Sequence, residues 1–155
     1  MIHRRTLLQL GSVVAMGQAG WAWSAGAVLP APQSLKEELA KALAKGNPLV
    51  IMVSLERCPF CKIAREHYLE PLARKEGIPV FQVDMRNPKG IQHFDGNPKT
   101  HDQLTRDWDI KIAPTVLFFG ANGKEVAERL VGGYLPDFYG AYLDERIAKA
   151  RTAIR

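Results

Sequence analysis

The chain has 155 residues, of which 46% are hydrophobic and 24% charged, and a formal net charge of +5. This is an ordinary balance for one soluble globular domain with a sizeable core. Lys and Arg are interspersed with Asp and Glu, which argues for a solvated mixed-charge surface and against a nucleic-acid-binding one.

The first 27 residues contain no Asp or Glu. They run from a basic start with Arg4 and Arg5 through an apolar, small-residue stretch to Ala22, Ser24, Ala25 and Ala27. That is the pattern of a secretory leader cleaved after about residue 24 or 27, which leaves a domain over 28–155 and a mature charge of about +3. The run "RRTLL" also resembles a twin-arginine export signal, so the Sec and Tat routes both stay open. The stretch holds Ser12, Gln18 and three glycines, which makes it a poor permanent membrane span. An exported chain is expected in the periplasm.

A Pro-containing linker, "VLPAPQ", follows. Ser34 and Glu37 then have capping-box spacing, Leu35, Leu39 and Leu43 share one helical face, and Gly46 suits a helix end. Residues 48–54, "PLVIMVS", form a continuous apolar run that predicts a buried central strand. The run 62–77 predicts a helix with Ile63, Tyr68, Leu69 and Leu72 apolar, kinked or interrupted by Pro71. Residues 78–85 predict a second strand, and 86–103 a polar, turn-rich loop or small excursion leading into a short helix capped by Thr100. Trp108 is expected to pack that helix on the sheet. His67 reads as a surface residue, and His93 and His101 as part of the solvated loop, with partner docking as the other option. "PTVLFF" predicts a third strand, Asn122-Gly123 a hairpin turn, and "EVAERLV" a fourth strand. The closing helix "PDFYGAYLDERIAKART" is expected to turn Phe138, Tyr142 and Leu143 inward, with Tyr134 also in the core. The order α-β-α-β-α-β-β-α makes the first two strands parallel and the last two an antiparallel hairpin. The fold class is α/β, a mixed sheet of four or five strands flanked by helices.

The only two cysteines, Cys58 and Cys61, lie between the first strand and the following helix. A disulfide across so short a loop removes little unfolded-chain entropy, so a structural staple is a weak reading. Haem attachment needs C-x-x-C-H, and position 62 is Lys. A structural zinc site needs four ligands, and no second cysteine pair exists. A copper site using both thiolates stays as an alternative. Pro59 suits the first helical position, which makes Cys58 the cap residue. Its sulfur then faces free N–H groups and the positive end of the helix dipole, both of which favour the attacking thiolate. Arg57 is a further candidate for tuning that pKa, opposed by Glu56. Cys61, one turn on and pointing inward, suits the resolving role. Pro114, just before the third strand, suits a strand start or a cis bond.

The strand–CPFC–helix unit, the "AP-T" strand start, the hairpin and the final helix together resemble the thioredoxin superfamily over about residues 34–150. The loop "HFDGNPKTHDQL" and the ending "GGYLPDFYGAYL" resemble more narrowly its exported, SoxW-type thiol-disulfide oxidoreductases. The resemblance implies a thioredoxin fold, a cis Ala113–Pro114 bond, and a redox-active Cys58–Cys61 disulfide with Cys58 as nucleophile. It implies that Ala113 and Pro114, with Pro59 and Phe60, meet the substrate chain. It implies protein disulfides as substrates and, in a periplasm, a membrane electron donor of the DsbD kind. No nicotinamide or flavin motif is present, so no cofactor is expected; nor are a metal, a nucleic acid or a stable oligomer. An oxidising, Dsb-like role and a redox-inactive interaction domain are the other options. The chain also departs from ordinary thioredoxin. Arg57 stands for the usual Trp, Met52 for the buried acid, and Val80 for that acid's lysine partner.

Overall fold

Strand β1 (Leu49–Ser54) is buried at every position, and its neighbours explain why. It pairs in parallel with β2 (Val80–Asp84) on one side and antiparallel with β5 (Thr115–Phe119) on the other. β6 (Leu130–Val131) adds an antiparallel edge, giving the order β2-β1-β5-β6. The computed structural model describes residues 26, 28–133 and 136–155, so the leader and its cleavage sites, and Tyr134, lie outside the described residues.

Alternation along β1 sends its side chains to two different cores. Val50 and Met52 meet Leu69, Leu72, Phe118, Tyr139 and Leu143 on one face. Leu49, Ile51 and Val53 meet Leu35, Leu39, Leu104 and Phe119 on the other. Helix α1 (Leu35–Ala44) and helix α4 (His101–Asp107) cover the second face. The first is covered by α2 (Pro59–Ile63), α3 (Glu70–Glu76) and α5 (Pro136–Ala153). Continuous apolar strands and helices on both faces are the expected combination.

Local chemistry sets the ends of these elements. Ser34 caps α1 by accepting from the Glu37 N–H. Thr100 and Gln103 form a reciprocal capping box at α4. Pro71 lies in the first turn of α3, where its missing N–H is tolerated. The break it causes is taken up as a π-helical turn over Ala64–Leu69, so the predicted helix runs on in altered form.

Four expectations change. The segment read as a linker is a docked strap. Leu29 is buried in the first core, Pro32 is also buried, and the Gln82 N–H donates to the Pro30 carbonyl at 2.9 Å. The expected loop 86–103 contains a hairpin, β3 (Gly90–Gln92) with β4 (Pro98–Thr100), turned at Asp95-Gly96. The expected fourth strand is short. After the turn, where Asn122 and Gly123 both take positive φ, a single bridge joins Phe119 to Glu125, and regular pairing resumes only at β6. Gly123 has φ +67, and the Phe94 ring fills the space a Cβ would need. Finally, α5 buries Tyr139, Leu143, Ile147 and Ala150, while Phe138 is 59% exposed and Tyr142 39%. Leu143 faces inward as expected, whereas Tyr139 and not Phe138 or Tyr142 joins it on the inward stripe.

Candidate redox site

Cys58 and Cys61 form a disulfide with their Cα atoms 5.2 Å apart. Cys58 is the N-cap of α2 in extended backbone, and its Sγ accepts the Cys61 N–H at 3.2 Å. Pro59 follows in the first turn, where its missing N–H costs the helix no internal hydrogen bond. The two sulfurs differ in access. Cys58 is half-buried, whereas Cys61 is fully buried against the first core. An incoming reagent meets Cys58 first.

The Ala113–Pro114 bond is cis. It brings the Ala113 carbonyl oxygen to 3.8 Å from the Cys58 Sγ. The Pro114 carbonyl accepts from the Gly132 N–H, and Gly133 sits in contact range of both Phe60 and Pro114. Cys58, Cys61, Phe60, Ala113 and Pro114 are thus gathered at one end of the sheet, with Pro59 on its exposed surface. Phe60, Ile63, Ile112 and Val131 are exposed apolar groups at that end. Gly133, Ile112 and Val131 escaped the sequence reading, since only the strand pairing brings them beside the cysteines.

Arg57 stands apart from this group. It takes a left-handed backbone (φ 60), and its side chain is 91% exposed, 3.7 Å from that of Glu56. Water screens so exposed a charge, which leaves the helix N-terminus as the stronger local influence on the Cys58 sulfur.

Behind Cys61, Met52 is fully buried. The parallel register places Gln82 opposite Met52 and Val80 opposite Val50, and Met52 and Val80 share the first core. Gln82 belongs to a polar chain. The Arg65 Nε donates to Gln82 Oε1 at 2.7 Å, Arg65 Nη2 donates to Ser54 Oγ at 3.3 Å, and Gln82 Nε2 donates to Asp84 Oδ1 at 2.6 Å. These residues line a groove of about 1100 Å³ that opens at Cys58.

The three histidines among the described residues are dispersed. His67 is exposed, as expected. His93 is partly exposed on the β3–β4 hairpin beside Asp95. His101 overturns the solvated-loop reading: it is fully buried, and its Nδ1 accepts the Asp84 N–H at 3.1 Å. Burial lowers its pKa below the usual imidazole value, with Asp84 opposing and Lys89 assisting. The native state therefore holds His101 neutral, while the unfolded chain protonates it below about pH 6.5. Stability is full above that pH and falls as the pH drops through it. Urea unfolding at pH 7.5 and pH 5.5 should show lower stability at the lower pH, a loss reduced by at least half in His101→Asn. An equal loss in that variant would remove His101 as the cause.

Trp108 packs its ring 5.3 Å from Phe119, between α4 and the sheet, as expected. Among the described residues no cluster of three or more His, Cys, Asp or Glu is placed to hold a metal ion, and no helix is long and apolar enough to cross a membrane.

Comparison with known proteins gives a consistent result. The profile of the thioredoxin-like domain family matches residues 35–147. Thioredoxin f from spinach chloroplast superposes with a TM-score of 0.51 at 17% identity, covering 81% of this chain and 97% of that one. Oxidised mitochondrial thioredoxin 3 from Saccharomyces cerevisiae gives 0.50 at 16% identity, covering 77% and 93%. At such identities the likeness concerns the fold. In sequence the chain is 29% identical over 107 residues to the thiol:disulfide interchange protein DsbD of Actinobacillus pleuropneumoniae. That match takes in 66% of this chain and only 17% of the DsbD protein.

Proposed function

The chain belongs to the thioredoxin-like domain family, and from that premise we propose that it is an exported thiol-disulfide oxidoreductase that reduces disulfides in other proteins. The observation that carries the reading is the unequal pair: a reachable Cys58 sulfur at a helix N-terminus, bonded to a buried Cys61 one turn away. A staple would have no need of an accessible sulfur or of a helix dipole aimed at it.

The reaction starts from the dithiol. The Cys58 thiolate attacks one sulfur of a substrate disulfide, a new S–S bond forms, and the substrate's other sulfur leaves and takes a proton. Cys61 then loses its proton and attacks the Cys58 sulfur. The mixed disulfide breaks, and the second substrate thiolate is released and protonated. Two electrons and two protons have passed to the substrate, and the Cys58–Cys61 disulfide has formed. A dithiol donor outside the chain restores the starting state. The N–H groups at the start of α2 stabilise the Cys58 thiolate that makes the first attack. Ala113 and Pro114 offer backbone beside the reacting sulfur, and Pro59, Phe60 and the neighbouring apolar side chains offer surface for the client.

The leader motif supports a periplasmic location after cleavage near residue 24 or 27, leaving a domain over 28–155 that acts as a monomer. The partial likeness to DsbD supports a membrane thiol-disulfide donor of that kind. The decisive measurement pairs insulin-disulfide reduction with the equilibrium potential of the cysteine pair against glutathione. Turnover together with a potential near about −270 mV fits a reductase, whereas one near about −120 mV would reverse the direction to oxidation. Absence of any exchange would end the reading.

A further inference from the structure

Arg65 lies one turn beyond Cys61 and reaches across to the sheet edge. Its guanidinium is fixed by two neutral acceptors, Ser54 Oγ and Gln82 Oε1. No carboxylate lies within ion-pairing distance of it among the described residues, although the side chain is half-buried. The nearby Asp84 carboxylate is taken by the Gln82 amide. A half-buried cation with no counter-charge carries a desolvation cost that an arriving anion would offset. Two of its N–H groups are engaged and the rest of the planar fork stays available, already oriented. Arg65 lines the same groove as Cys58, and Lys62 and Arg86 stand on the groove walls. Of the other carboxylates there, Glu56 lies against Arg57, and Glu66 lines the groove without pairing with Arg65.

We propose that this groove is a specificity subsite in which Arg65 receives a carboxylate carried by the substrate chain near its reacting cystine, so that the protein prefers disulfides set in acidic sequence. The inference rests on the oxidoreductase reading and adds to it a substrate class. The apolar surface around Phe60 then holds one flank of the client, and the Arg65 groove the other. A tethered carboxylate seated on a preoriented guanidinium holds the disulfide at Cys58 for longer and raises the rate of the first exchange step.

The test uses the full-length reduced protein and disulfide-linked peptide pairs that differ at one position, with Glu, Gln or Lys placed two, three or four residues from the cysteine. Stopped-flow rates of peptide release should favour Glu over Gln by about five- to tenfold for at least one placement, with Lys slowest. In Arg65→Gln the Glu/Gln ratio should fall below about twofold, whereas Arg74→Gln, whose side chain pairs with Glu70 outside the groove, should keep it. Should Arg65→Gln fail to fold, NMR of the wild-type protein replaces it. A Cys→Ser peptide bearing Glu should shift the Arg65 Nε–H signal, and its Gln counterpart should not. Exchange with no charge preference, an unchanged ratio in a folded Arg65→Gln protein, or an unmoved Nε–H signal would each overturn the subsite and leave the oxidoreductase reading standing. A wild-type protein that exchanges with no peptide at all would overturn both.

Discussion

Replacing Cys58 by Ser should abolish insulin-disulfide reduction, with a loss of about 10³-fold or more, because the attacking atom itself is removed. Cys61→Ser should behave differently. The first attack still occurs at the accessible Cys58, but nothing inside the chain then displaces the substrate, so a mixed disulfide accumulates. Non-reducing electrophoresis after acid quench would show it as a covalent adduct of the Cys61→Ser protein that dithiothreitol releases. The contrast follows from the geometry: Cys58 is the half-exposed cap residue and Cys61 the buried one. If Cys58→Ser kept wild-type turnover, or if the adduct accumulated in Cys58→Ser and not in Cys61→Ser, the assignment of roles would be wrong.

The second large effect concerns the core. Phe118 is fully buried on the central strand β5 and packs in the cluster that holds Cys61, Leu69 and Tyr139. Phe118→Ala should cost about 3–5 kcal/mol, the transfer free energy of the ring plus the cavity left behind. That is a large share of the roughly 5–15 kcal/mol that holds a domain together, so the melting temperature should drop by about 10 °C or more. Phe138→Ala should change stability by no more than about 0.5 kcal/mol, because its ring is 59% exposed. Denaturant titration of the two variants measures the inward face of α5 directly. Comparable losses would restore the sequence-based placement of Phe138.

That misplacement shows where sequence reasoning reaches its limit. Strands β1 and β5 were readable because both faces are buried, so the apolar run is continuous and no phase has to be chosen. The α5 stripe demanded a phase, and two aromatic residues one position off it, Phe138 and Tyr142, compete with Tyr139, Leu143 and Ile147. The helix caps were legible at Ser34, Cys58 and Thr100, since capping is a local hydrogen-bond problem. The β3–β4 hairpin had a local signal too, Asp95-Gly96, hidden by the short polar strands around it. His101 shares a stripe with Leu104, Thr105 and Trp108, a spacing that hinted at burial although the residue type argued against it. The strap and the Arg65–Gln82 contact had no local signal. Each depends on the exposed edge of β2, and which residues face one another across a parallel pair is settled by the crossover between the strands and not by either strand alone.

For the site, the cysteine spacing and the proline were legible, whereas the surroundings were not. Cys58 and Cys61 are three residues apart on one turn, so their proximity is written into the sequence. Ile112, Val131 and Gly133 reach them from more than 50 residues away through the β1–β5–β6 pairing.

The burial of Cys61 also bears on timing. Its sulfur is withheld from solution yet held on the same helical turn as Cys58, with 5.2 Å between the Cα atoms. Its concentration as seen by a captured client is therefore a property of the helix, independent of how many thiols surround the protein. Once Cys58 has been engaged, release becomes a first-order clock. Weakly and tightly held clients leave at rates set by the same internal attack, and free thiols in solution have little opportunity to intercept the captured state. A protein built this way has no need to bind its clients strongly, since a brief encounter long enough for one sulfur–sulfur bond is sufficient to commit the exchange.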